Sequence, residues 1–157
     1  MFTSEQWDRI NFEEILVSMQ FPSFHKFNNS SAFGFTGCVT PKAGNRSYEL
    51  KLDVTDNYPY DEPDLFVALP PVLWMHGGKK SINSLETTHD YHAYYNGPDG
   101  CVKICHTSEW DPSMTCVQVL LKGIIWLEAY SIHLRSGDTI AKIIDSFYED
   151  FRIWANP

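Results

Sequence analysis

Tyr48, Leu50, Leu52 and Val54 alternate with Glu49, Lys51 and Asp53. Strict period two over such a run describes a strand with one face in a core and the other in water. Phe33 and Phe35 alternate with small residues as far as Val39, and Gly44-Asn45 separates the two runs. This spacing predicts an antiparallel hairpin. Leu65 to Leu69 is a third apolar run after a turn rich in Pro and Asp, and three successive strands read as an antiparallel meander. Helical patterns lie on either side. Trp7, Ile10, Ile15, Leu16 and Met19 predict a helix near 4–19, with Thr3-x-x-Gln6 and Asn11-x-x-Glu14 competing as its capping box. Asp111-Pro112, an acid and then a proline, predicts the start of a second helix, continued on one face by Val117, Leu120, Leu121 and Ile124. A last helix is expected from Asp138, with Ile140, Ile143, Ile144, Phe147, Phe151 and Trp154 as a wide apolar stripe. Segregated strands and helices imply an α+β fold: an N-terminal helix, an antiparallel meander sheet, a long loop and two C-terminal helices in a single domain over 1–157.

A chain of 157 residues with 43% hydrophobic residues can bury a core and is not disordered. Its net charge of −8 argues against a nucleic-acid partner, which would require a basic face for phosphates. Asp53, Asp56, Asp61, Glu62 and Asp64 concentrate the acids and read as a solvated loop. No apolar run is long enough for membrane insertion, and the N-terminus lacks the basic and apolar regions of a secretory leader. The four cysteines are therefore expected to be reduced thiols of a cytoplasmic protein. Cys38 and Cys116 fall in predicted regular elements and read as packing residues, as do Trp126 and Tyr130.

From Pro70 to Asp111 no periodicity holds. A loop of that length in a small domain is characteristically functional. It carries His92, Tyr94, Asn96, Cys101 and Cys105 close together. Thiols in a loop beside proton-transfer and hydrogen-bonding groups suit nucleophilic cysteine chemistry. Zinc ligation by His89, His92, Cys101, Cys105 and His106 is the competing reading, but Cys-x-x-x-Cys-His is not a usual zinc spacing. No nucleophile elbow supports a serine hydrolase.

Two motifs flank this loop. Tyr58-Pro-Tyr-Asp-Glu-Pro63 resembles the Tyr-Pro-x-x-x-Pro turn of the ubiquitin-conjugating enzymes, and Trp110-Asp-Pro-Ser-Met-Thr115 resembles their Trp-Ser-Pro-x-x-Thr. The resemblance runs from about Phe33 to Leu127 and implies the ubiquitin-conjugating-enzyme-like fold. The chain departs from the eukaryotic His-Pro-Asn motif, having His92-Ala-Tyr94 followed by Asn96. Together with Trp126-Leu-Glu-Ala-Tyr130 and Ser136-Gly137, this resembles the bacterial branch found in antiphage operons. The resemblance implies a stand-alone transferase that carries an activated protein C-terminus as a cysteine thioester to a target lysine, without a cofactor. In the CBASS version the passenger is a cGAS-like nucleotidyltransferase; in another it is a bacterial ubiquitin-like protein supplied by a separate activating enzyme. A non-catalytic adaptor of the same fold is the third reading.

Family spacing favours Cys101, nine residues after His92 and nine before Trp110, as the nucleophile. The dipeptide Ile104-Cys105 mimics the family's Ile-Cys and keeps Cys105 open, as does the idea that the two thiols exchange a thioester or form a disulfide. Thioester chemistry requires a donor for the oxyanion, for which Asn96 or a backbone N–H is the candidate. His92 or Tyr94 would position that donor or move a proton. Lys103 and His106 are expected to make the setting of the thiolate electropositive.

Overall fold

A computed structural model describes residues 2–29, 32–94 and 97–155. Helix α1 spans Ser4–Gln20, and the capping box that forms is the one at Thr3 and Gln6. Strands β1 (Phe24–Asn28), β2 (Phe33–Val39), β3 (Tyr48–Val54) and β4 (Asp64–Leu69) follow. The stretch expected to be aperiodic contains a 3-10 turn at Ile82–Ser84 and two short strands, β5 (Ala93–Tyr94) and β6 (Val102–Ile104). Helices α2 (Cys116–Ser136) and α3 (Ile140–Ala155) complete the chain. The sheet is antiparallel throughout, in the order β1-β2-β3-β4-β6-β5. The α+β layout is therefore as expected: an N-terminal helix, an antiparallel sheet and two C-terminal helices. Among the described residues no helix is long and apolar enough to cross a membrane.

In β3, Tyr48, Leu50, Leu52 and Val54 are buried, and Glu49, Lys51 and Asp53 face outward. The buried face meets α2, where Val119, Leu120, Trp126, Leu127 and Tyr130 are all buried. Trp126 and Tyr130 stack, and their polar atoms bond to the carbonyls of Tyr91 and Trp74. Both are packing residues of the core, as expected.

Several expectations are corrected. Helix α2 begins at Cys116, not at Asp111-Pro112, because Thr115 and Gln118 form a reciprocal capping box. The Asp111 carboxylate instead closes a turn by accepting from the Ser113 N–H at 2.8 Å. Cys38 is exposed, since it alternates outward from β2, whereas Cys116 is buried as expected. Strand β1 lay unseen in Phe24-His-Lys-Phe-Asn, an edge strand whose mostly open faces leave no alternation. The inward face of α1 is Ile10, Glu13 and Val17, while Ile15 and Met19 are exposed. The side chains of Phe151 and Trp154 lie outside the described residues.

A buried carboxylate in the middle of that face requires partners. Glu13 accepts from the Tyr58 hydroxyl at 2.6 Å, the Cys116 N–H at 2.8 Å and Arg9 Nε at 2.8 Å. Arg9 also donates to the Met114 carbonyl at 2.7 Å. One cluster thus joins α1, the Tyr58-Pro59 turn and the first residue of α2, where a negative charge suits the helix dipole. Replacing Glu13 by Ala strands two buried donors and leaves the half-buried Arg9 without its carboxylate, and urea unfolding is expected to show a loss of about 3–5 kcal/mol. Glu13→Gln, which preserves the shape, is expected to lose less.

Candidate active site

Strand β6 organises the cysteines. Cys101 stands immediately before it and Cys105 immediately after. Val102 and Ile104 are buried in the core, so Cys101 and Lys103 alternate onto the outer face, and Cys105 lies past the end of the strand. Extended backbone rises about 3.3 Å per residue, which puts the two cysteine Cα atoms about 13 Å apart. A disulfide requires less than about 7 Å, so direct pairing or exchange between these thiols is excluded while β6 is intact. Both are free thiols.

The turn before Cys101 is tightly built. Asp99 and Gly100 have φ of 61° and 74°, and the Gly97 N–H donates to the Cys101 carbonyl at 2.9 Å. Gly97 rests against the Phe66 ring so closely that a Cβ would lie 2.2 Å from it. Asn83, which nothing in the sequence pattern marked, holds this turn from outside. Its Nδ2 donates to the Gly100 carbonyl at 2.8 Å and the Pro71 carbonyl at 2.7 Å, and its Oδ1 accepts from the Leu73 N–H. The partners are 10 to 17 residues away, so no local signal could reveal them. Cys101 Sγ lies 3.8 Å from the Ala68 carbonyl. Burial pushes this thiol above its ordinary pKa, Asp99 adds to the rise, and Lys51 opposes it.

Cys105 occupies a different setting. Its N–H donates to the His92 carbonyl at 2.8 Å, and its Sγ lies 3.7 Å from the Thr107 carbonyl. The Tyr94 hydroxyl is bonded to this thiol, an interaction that with burial pushes Tyr94 up to about 12. His92 has φ of 45°, a left-handed backbone at a non-glycine residue, and burial lowers its pKa. Cys105, His92 and Tyr94 all line one cavity of about 430 Å³ between the end of the sheet and helices α2 and α3; Cys101 does not. Thus three of the expected site residues converge and the fourth stands at the opposite end of β6. Asn96 lies outside the described residues.

The expected cationic setting is corrected. Lys103 pairs with Asp64 and lies 5.3 Å over the Tyr94 ring. His106 is buried, donates from Nε2 to the Pro63 carbonyl at 2.8 Å, and has its pKa lowered by burial. It is a neutral structural histidine. Among the described residues no group of three His, Cys, Asp or Glu could hold a metal ion. Neither protein-family models, nor curated proteins, nor solved structures return a match to the chain.

Two outcomes follow from this geometry. Alkylation of Cys101, followed by peptide mass spectrometry across neutral to alkaline pH, is expected to have a midpoint above the ordinary thiol value of about 8.5. Because Asp99 disfavours the thiolate and Lys51 favours it, Asp99→Asn should lower that midpoint and Lys51→Met should raise it. Asn83→Ala removes the support of the turn, and chemical denaturation is expected to show a loss of about 1–3 kcal/mol.

Proposed function

We propose that the chain is a ubiquitin-conjugating-enzyme-like transferase of the bacterial branch, with Cys101 as its nucleophile. The observation that carries this reading is the placement of Cys101 at the head of β6, on the outer face of the sheet and outside the cavity that Cys105 lines. A macromolecular passenger requires such an approach. Support also comes from Tyr58-Pro59 and Trp110: the Trp110 indole donates to the Pro59 carbonyl at 2.7 Å, joining the two motifs on which the resemblance rests.

In this reading the Cys101 thiolate attacks the carbonyl of an activated protein C-terminus, and the activating group departs with its bonding electrons. The amine of a target lysine then attacks the thioester, loses a proton and expels the thiolate, leaving an amide. Asn83 is a positioning residue: both N–H bonds of its amide are used on carbonyls, so it fixes the Cys101 turn and does not bind the oxyanion. The raised thiol pKa means that Cys101 rests as a thiol and gives its proton to solvent water before the thiolate attacks. The passenger is the C-terminus of a cGAS-like nucleotidyltransferase, and the setting is cytoplasmic antiphage defence.

Co-expression with the products of neighbouring genes, read by intact mass and non-reducing gels, tests this. Wild type and Cys105→Ala are expected to carry a thiol-sensitive adduct on a neighbour's C-terminus, and Cys101→Ala none. A ubiquitin-like neighbour in the adduct would replace the passenger but keep the chemistry. A stable complex without any adduct in the wild type would establish an adaptor instead.

A further inference from the structure

Five of the twelve lysines and arginines of this acidic chain stand at one end of the molecule. Lys42 and Arg46 belong to the β2–β3 connection, Lys79 and Lys80 to the turn between the bridged residues Trp74 and Ser81, and Arg135 to the last turn of α2. All five are exposed, and none has a carboxylate partner among the described residues. Arg9, Lys26, Lys51, Lys103 and Lys142 each have one, which leaves Lys122, against the Cys105 cavity, as the remaining unpaired cation with a described side chain. The three segments enclose a trough of about 580 Å³, lined by Arg46 and Arg135 and by no aspartate or glutamate. Glu128, on the same helix as Arg135, spends both carboxylate oxygens on the N–H groups of Lys42 and Ala43. A cation in the last turn of a helix is favourable in itself, and Arg135 also donates to the Ala43 carbonyl. Neither reason applies to Arg46, whose side chain forms no hydrogen bond with a described residue. Trp74, 50% exposed, adds an aromatic ring to the lining, beside Met75. At Gly77 and Gly78 nothing stands within 4 Å of where a Cβ would be, so the trough is open there.

We infer that this trough docks a short acidic segment of another protein, with a bulky apolar side chain among its carboxylates. The carboxylates meet Arg46 and Arg135, whose planar guanidinium groups pair with them through two N–H bonds at once. The apolar side chain rests on Trp74 and Met75. Arginine and tryptophan are the residue types on which interface energy concentrates. The distribution of charge selects the length of the occupant. Strand β3 begins at this end with Tyr48 and reaches Val54 about 20 Å away. Asp53, Asp56, Asp61, Glu62 and Asp64 gather at that far end, where Asp53 is in register with Asp64. A long polyanion such as a nucleic acid continues past the trough onto a surface that repels it, whereas a short acidic segment ends within the cationic region. The exposed rim, Asn45, Arg46, Gly77 and Gly78, suits an extended chain and not an enclosed small ligand. The inference does not depend on thioester transfer, because neither Cys101 nor Cys105 lines the trough.

Amide NMR titration of the full chain tests the assignment. The probes are the peptide Asp-Glu-Phe-Asp-Glu blocked at both ends, its neutral counterpart Asn-Gln-Phe-Asn-Gln, and a single-stranded oligonucleotide. Resonances of Arg46, Gly77, Ser131 and Arg135 are expected to move and saturate with the acidic peptide, while those of Asp56, Cys101 and Cys105 stay in place. The neutral peptide should bind about tenfold more weakly, and so should the acidic peptide to Arg46→Glu and to Trp74→Ala. Both side chains are exposed, so the variants should keep the dispersed spectrum of the folded chain. Raising salt from about 0.05 to 0.5 M should weaken binding of the acidic peptide to a similar degree. No saturable shift, equal affinity for the neutral peptide, or undiminished binding by Arg46→Glu would overturn the proposal. Tighter binding of the oligonucleotide at the same residues would overturn it in favour of a nucleic-acid surface. Shifts of the trough resonances on concentrating the chain alone would overturn it in favour of a second copy of the chain.

Discussion

The carboxylate of Glu13 is the constraint on which the rest of the arrangement depends. It is 1% exposed, in the middle of the inward face of α1, and such a charge persists only when hydrogen-bonded and paired. Its partners come from three separate parts of the chain. Arg9 extends the cluster to the carbonyls of Pro112 and Met114, and Gln6 donates to the carbonyls of Asp56 and Tyr58. The segment from Tyr58 to Pro63 is thereby held from the α1 side. From the other side it is gripped by Trp110 at the Pro59 carbonyl and His106 at the Pro63 carbonyl. His106 follows Cys105 directly, so this clamp reaches from the first helix to the end of β6.

That chain of contacts explains why two thiols only four residues apart have different surroundings. Cys101 is governed by the Asn83-supported turn and the outer face of the sheet. Cys105 is governed by the His92 carbonyl, the Tyr94 hydroxyl and the clamp through His106. One short strand separates a half-buried thiol outside the cavity from one that lines it. The proposed transfer chemistry belongs to the first.

Where the sequence was legible, one physical signal dominated. The alternation in β3 and the stripe Ile140, Ile143, Ile144 and Phe147 of α3 were readable because one side of each element meets the core and the other meets water. The order of helix, meander and helices followed. Helix α2 was misplaced at its start because Asp111-Pro112 and Thr115 are both competent beginnings, and only the Gln118 side chain decides between them. Strands β5 and β6 were hidden because two or three residues are too few to show a period; they exist because β6 pairs with β4 and β5 with β6. In the candidate site, the cysteines, His92 and Tyr94 stood out by residue type. Their separation into two settings did not, because spacing in sequence does not reveal that the intervening residues are extended. Asn83 was invisible for a related reason: it acts through distant backbone carbonyls.

The most direct test of thioester transfer through Cys101 is tandem mass spectrometry of Cys101→Ser protein purified with its neighbouring gene products. A hydroxyl in place of the thiol turns a labile thioester into a slowly hydrolysed oxyester. The expected result is an oxyester joining a partner's C-terminal carbonyl to position 101, resistant to reductant and cleaved by mild base. An acyl group found on Cys105 instead, with position 101 unmodified, would contradict the account.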